Sequence, residues 1–240
     1  MLKALFAFLF LIALAPAAFA QQIPPQCDLT WSDCPNGAFA ANLNNSCTSN
    51  TGVMGTMVVS FVPPIELDSL VAVRAIIDFV AAGATIPPWW QVWSGGCVGR
   101  VGKIVAAADF TSPPFGACGD PWKGFAVPGF NLQPAQGYPP NWATIRAAAV
   151  FGDPFRAVVT PDQLWYAVSI TILNAGTLPA TRCPGCTGSA TFTLEQVNLS
   201  EPAPIPDFIL TNGPHLTCTY NGEPTATRAS SWGSIKTLYR

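Results

Sequence analysis

The residues of this chain with chemistry to offer are eight cysteines, a tryptophan-rich segment and a scatter of aspartates. Cys183-Pro184-Gly185-Cys186 has the spacing of a redox dithiol, which lowers a thiol pKa when it opens a helix in a βαβ unit. Here Gly188 and a strand-like run follow, so the spacing reads as a turn closed by its own disulfide. Zinc ligation finds a single histidine, His215, and no metal site or cofactor is expected. Trp89, Trp90 and Trp93, in the segment IPPWWQVWSGG, form either a flat platform that stacks on sugar rings or the filling of a core. Glycoside hydrolysis needs two carboxylates at a set separation in space. Asp78 and Asp109 end apolar runs and Asp120 and Asp153 sit in turns, where acids normally cap backbone N–H groups. No GxSxG, HExxH or phosphate-loop pattern supports a triad hydrolase, a zincin or a nucleotide enzyme.

The segment that must carry these groups starts after a leader. Lys3, the apolar run Ala4 to Leu14 and the small-x-small Ala18-Phe19-Ala20 read as a signal peptide over residues 1–20. The apolar run is shorter than the roughly 20 residues of a membrane helix, and no later run reaches that length. The mature chain is therefore expected to lie outside the cytoplasm, secreted, at the cell surface or in the periplasm, without a transmembrane segment. Past Lys3, ten Lys and Arg face 13 Asp and Glu, a net charge of −3, with the charges spread singly. Nucleic acid, which is held by clustered Lys and Arg, is excluded as a partner.

All of the cysteines, Cys27, Cys34, Cys47, Cys97, Cys118, Cys183, Cys186 and Cys218, follow the leader, and an even number in an exported chain implies disulfides. Pairing neighbours in the expected topology gives Cys34–Cys47, Cys97–Cys118, Cys183–Cys186 and Cys27–Cys218. The stretch from Thr85 to Cys118 then becomes a central stapled loop.

Short runs rich in Val, Ile, Thr and aromatic residues, cut by Gly and Pro, recur along the chain. They predict strands at Asp28–Trp31, Val53–Phe61, Leu70–Val80, Trp89–Trp93, Lys103–Phe110, Trp142–Val150, Leu164–Asn174, Ser189–Leu199, Phe208–Thr211 and Leu216–Tyr220. Between Thr111 and Asn141 only Phe125 to Val127 looks extended. In the run from Leu164, Tyr166, Val168, Ile170 and Ile172 share one face. The expected fold is all-β: one disulfide-stabilised, two-sheet antiparallel β-sandwich over residues 21–221, jelly-roll or immunoglobulin-like.

Residues 222–240 differ in kind, a polar linker followed by WGSIKTLYR. Trp232, Ile235 and Leu238 or Tyr239 recur at helical spacing, predicting a short C-terminal helical tail. PPWW, the paired loop cysteines, CPGC before a strand and this ending together resemble a group of uncharacterised exported bacterial proteins known from environmental genomes. That resemblance covers most of the mature chain and implies an exported protein. It also implies a recognition tail, Trp232, Ile235, Lys236, Leu238, Tyr239 and Arg240, addressed to an export or anchoring machinery. It implies no activity. The chain thus reads as a secreted, non-enzymatic binding or structural protein whose partner is a polysaccharide or a cell-envelope component. Two alternatives stand beside it: a carbohydrate-binding module with a platform of Trp89, Trp90 and Trp93, and a secreted carbohydrate-active hydrolase using acids such as Asp78, Asp109 or Asp120.

Overall fold

The computed structural model describes residues 23–36, 39–97, 103–179 and 182–222. The expected signal peptide and the helical tail lie outside them.

Thirteen strands build the described fold. A four-stranded sheet holds β1 (Gln26–Trp31), β3 (Val53–Val62), β10 (Trp165–Leu173) and β6 (Ile104–Ala107), in that order. A seven-stranded sheet runs β2 (Asn42–Leu43), β13 (Thr217–Tyr220), β11 (Ala190–Ser200), β5 (Ala72–Ala81), β8 (Trp142–Phe151) and β7 (Ala126–Pro134), with β12 (Phe208–Leu210) on β11. A ribbon of β4 (Leu67–Leu70) and β9 (Ala157–Val159) completes the set. The pairings are antiparallel, except that β2 lies parallel to β13.

Period-two alternation decides which side chains go inward. On β5, Val73, Ala75, Ile77 and Phe79 are buried, while Arg74 is exposed and Ile76 and Asp78 are half-buried. On β8, Ala143, Ile145, Ala147 and Ala149 are buried, with Thr144 and Arg146 on the other face. The inner faces of both sheets share one apolar core. Trp31 of β1 meets Phe192 of β11 edge-on at 5.6 Å, and its indole N–H donates to the Thr219 carbonyl of β13 at 2.9 Å.

Several expectations are corrected. Trp89–Trp93 is not a strand: Pro88–Trp90 form one 3₁₀ turn, with the Trp90 N–H bonded to the Pro87 carbonyl at 2.9 Å. The two prolines lack the N–H a ladder needs, and their fixed φ suits the start of a helical turn. Within Lys103–Phe110, only Ile104–Ala107 pair. The long loop after Thr111 hides most of β7, which runs to Pro134. A bulge between Tyr166 and Val168 puts Tyr166 opposite Ser60, on the face away from Val168 and Ile170.

The cysteines pair over long range, Cys34 with Cys118, Cys47 with Cys186 and Cys97 with Cys183. None of the four expected pairings is present. The CPGC turn sends its cysteines to two different loops, because it lies against Pro87: the Pro184 carbonyl accepts the Trp89 N–H at 3.1 Å, and a Cβ on Gly185 would sit 2.3 Å from the Pro87 Cβ. Cys27 and Cys218 are buried free thiols, pushed up to about 12 chiefly by burial. Cys218 Sγ lies 3.1 Å from the Leu29 carbonyl, two residues along β1 from Cys27. The Cys27 thiol is directed instead to the Leu210 carbonyl, 3.7 Å away.

Candidate functional site

A groove lined by polar side chains crosses the outer face of the seven-stranded sheet. Its register sets two rows across the strands: Asn131 of β7, Arg146 of β8 and Ile76 of β5, then Gln133, Thr144 and Asp78 of the same strands. Glu195 of β11 closes the first row. It is the extra residue in a bulge between Leu194, opposite Ile77, and Gln196, opposite Ile76. Glu195 keeps the outward face that Thr193 holds two residues earlier, and the bulge leaves Gln196 half-buried before Val197 turns into the core. Tyr138, 59 % exposed on the β7–β8 connection, overhangs the other end, its ring 5.0 Å from Trp142. The cavity volume is about 630 Å³.

Charge in the groove is mixed. Thr144 donates its hydroxyl to the Asp78 carboxylate at 3.4 Å. Partial burial and then the Asp78 charge raise the Glu195 carboxyl from its ordinary value. Amides at Asn131, Gln133 and Gln136 offer paired donors and acceptors, and Arg146 offers a planar cation.

The expected tryptophan platform is absent at Trp89 and Trp90. They are 0 % and 2 % exposed and pack with Phe79, Phe192 and Tyr220, filling the core; Trp93 is half-buried against the same core. Beneath Trp89 lies a fully buried cation. Lys103 Nζ sits 3.0 Å from the Trp89 ring centroid and donates to the Ala175 carbonyl at 3.0 Å. Both neighbours favour the ammonium, but burial outweighs them and lowers the amine to about 7.

Of the acids singled out from sequence, only Asp78 reaches the groove. Asp109 accepts from the N–H and hydroxyl of Thr111, Asp120 accepts from the N–H groups of Trp122 and Lys123, and Asp153 pairs with Arg156 at 2.9 Å. His215 stacks on Phe39 at 3.9 Å. The six tail residues lie outside the described ones. Sequence reading missed Asn131, Gln133, Tyr138 and Glu195, although the alternation of Thr144 and Arg146 with Ala143, Ile145 and Ala147 already marks an outward polar row.

A second cleft, of about 410 Å³, holds Phe125 stacked on Phe155 at 4.7 Å, with Trp165, Lys123 and Arg156 around it. Among the described residues no group of three or more His, Cys, Asp or Glu is placed to hold a metal, and no helix is long and apolar enough to cross a membrane. Comparison with protein-family models, with curated proteins and with solved structures finds no match for the chain.

Proposed function

We propose that this chain is an exported polysaccharide-binding protein of the cell exterior, with its ligand lying across the strands in the outer-face groove. The observation that carries this reading is the groove's make-up: side-chain amides, a guanidinium, two carboxylates and an overhanging phenol ring on one open sheet face. Amides and carboxylates bond vicinal hydroxyls from both sides, and an aromatic ring covers the apolar face of a sugar. Two acids beside one Arg disfavour a polyanion. Three disulfides fit an oxidising compartment. The reading takes the two sheets as layers of a sandwich, supported by their shared core. It takes residues 222–240 as linker and address, in keeping with the exported group that the chain resembles.

The test measures binding of the mature protein, and of a version ending at Gly222, to cellulose, xylan, mannan, starch and envelope fractions. Arg146→Ala and Tyr138→Ala are expected to weaken polysaccharide binding about tenfold or more, the equivalent of about 1.4 kcal/mol each. Tail removal leaves that binding intact and abolishes envelope capture. Polysaccharide binding undiminished in both groove variants would remove the groove from this role.

A further inference from the structure

We propose that the groove also cuts the polysaccharide it holds, with Glu195 as general acid and Asp78 as general base of a glycoside hydrolysis. This rests on the polysaccharide reading of the same groove and adds bond cleavage to it.

Register supplies the geometry. Asp78 stands opposite Thr193 on β11, and Glu195 follows two residues later on the same face, beside the bulge. Such diagonal neighbours stand about 7–8 Å apart along the backbone, with their Cβ atoms somewhat closer. Carboxyl pairs of inverting glycosidases stand about 6.5–9.5 Å apart to admit a sugar and one water, a span that two carboxyls turned away from each other at such positions reach. The two carboxyls also differ in setting. The Glu195 carboxyl is held above its ordinary value by partial burial and then by the neighbouring Asp78 charge. Asp78 accepts the Thr144 hydroxyl at 3.4 Å, a bond that orients it. Arg146, Asn131 and Gln133 line the cavity beside the pair, where they would fix the sugars on either side of the scissile bond.

The step balances without any further reactant. Glu195 gives its proton to the glycosidic oxygen as the bond from the anomeric carbon to that oxygen breaks. Water attacks the same carbon from the opposite face and loses its proton to Asp78. One water is consumed per bond, two free sugar ends result, and the two carboxyls return to their starting states by exchanging protons with solvent. A single displacement inverts the anomeric configuration.

The experiment takes each polysaccharide that the mature protein retains and measures reducing-end release between pH 4 and 8, with the product anomer read by proton NMR. The wild type is expected to release reducing ends of inverted configuration. Glu195→Gln and Asp78→Asn should each lower release by about 100-fold or more, the usual contribution of a positioned acid or base. Binding is measured alongside, and in each variant the loss of release should exceed any loss of binding by about tenfold or more, since the amide keeps the carboxyl's shape and one acceptor oxygen. A retained polysaccharide that yields no reducing ends overturns the cleavage proposal and leaves the binding reading standing. Release that survives both substitutions, or that retains configuration, overturns the assignment to this pair. If no polysaccharide is retained at all, both readings fall together.

Discussion

On the outer face of the four-stranded sheet, Asp28, Thr30 and Ser60 are 0 % exposed and Ser169 1 %, whereas on the outer face of the seven-stranded sheet Arg146 and Glu195 are exposed and Asp78 and Thr144 half-buried. Both rows are polar. They differ in what lies over them. Phe110 stacks on Tyr166 at 4.2 Å, and the Tyr166 hydroxyl accepts the N–H groups of Gly116 and Ala117 at 2.9 and 3.2 Å while donating to Asp33. Cys118 ties this cover to Cys34. Asp28 is closed over by the loop after β12, where it accepts the His215 N–H at 3.1 Å. Among the described residues no such cover lies over Asp78 and Arg146, and they line an open groove. A polar strand face becomes a site only where no loop is fastened across it.

Removing the fastening should have the largest effect. The Cys34–Cys118 bridge closes a separation of 84 residues, and loop entropy alone assigns such a bridge about 4.5 kcal/mol. Cys34→Ala with Cys118→Ala should lose a similar amount in guanidinium unfolding and open the outer face of the four-stranded sheet to amide exchange. Exchange unchanged at Ser60 and Ser169 would show that the cover does not depend on the bridge.

Next come the two aromatic regions. Trp89→Ala should cost about 3–5 kcal/mol because it empties a core position, while Tyr138→Ala at the groove should stay within about 0.5 kcal/mol. Equal losses at the two sites would contradict the assignment of one to the core and the other to the surface.

Buried charge gives the third contrast. Asp28 is raised from 3.8 to about 6 by burial, so the folded protein holds a proton there that the unfolded chain has released. Stability therefore falls as pH rises from about 4 to 6, by up to about 1.4 kcal/mol per pH unit. Lys103 is lowered from 10.5 to about 7 by burial, so between those values the unfolded chain binds the extra proton and stability rises with pH. Asp28→Asn should flatten the acid limb and Lys103→Met the alkaline limb of a stability profile measured by urea unfolding. Persistence of either limb in its variant would assign it to another group.

The smallest effect is a gain. The Ser60 hydroxyl is buried with no hydrogen-bond partner among the described residues, so Ser60→Ala should stabilise by about 1 kcal/mol. Thr144→Ala, on the open face, should leave stability nearly unchanged.

Local pattern made much of the fold legible. The alternations in VAVRAIIDFV and WATIRAAAV place β5 and β8 with the right faces inward, because a half-buried strand needs apolar residues at every second position. β7 was harder to see, since Pro128, Gly129 and Pro134 break its signal, and with it Asn131 and Gln133 were lost from view. Trp89 and Trp90 had the composition of a platform and the neighbours of a turn. Only their packing on Phe79 and Tyr220 decides between the two.

The sequence by itself determined an all-β chain rich in cysteine, and it marked Asp78 as an acid at the end of an apolar run. Tertiary structure decided the cysteine partners, because disulfides join residues that the topology brings within reach across separations of 84 to 139 positions. It also decided which polar row stays open and that Asp78 meets Glu195. Strand order and a single bulged residue set those neighbours, and neither leaves a periodic trace in the chain.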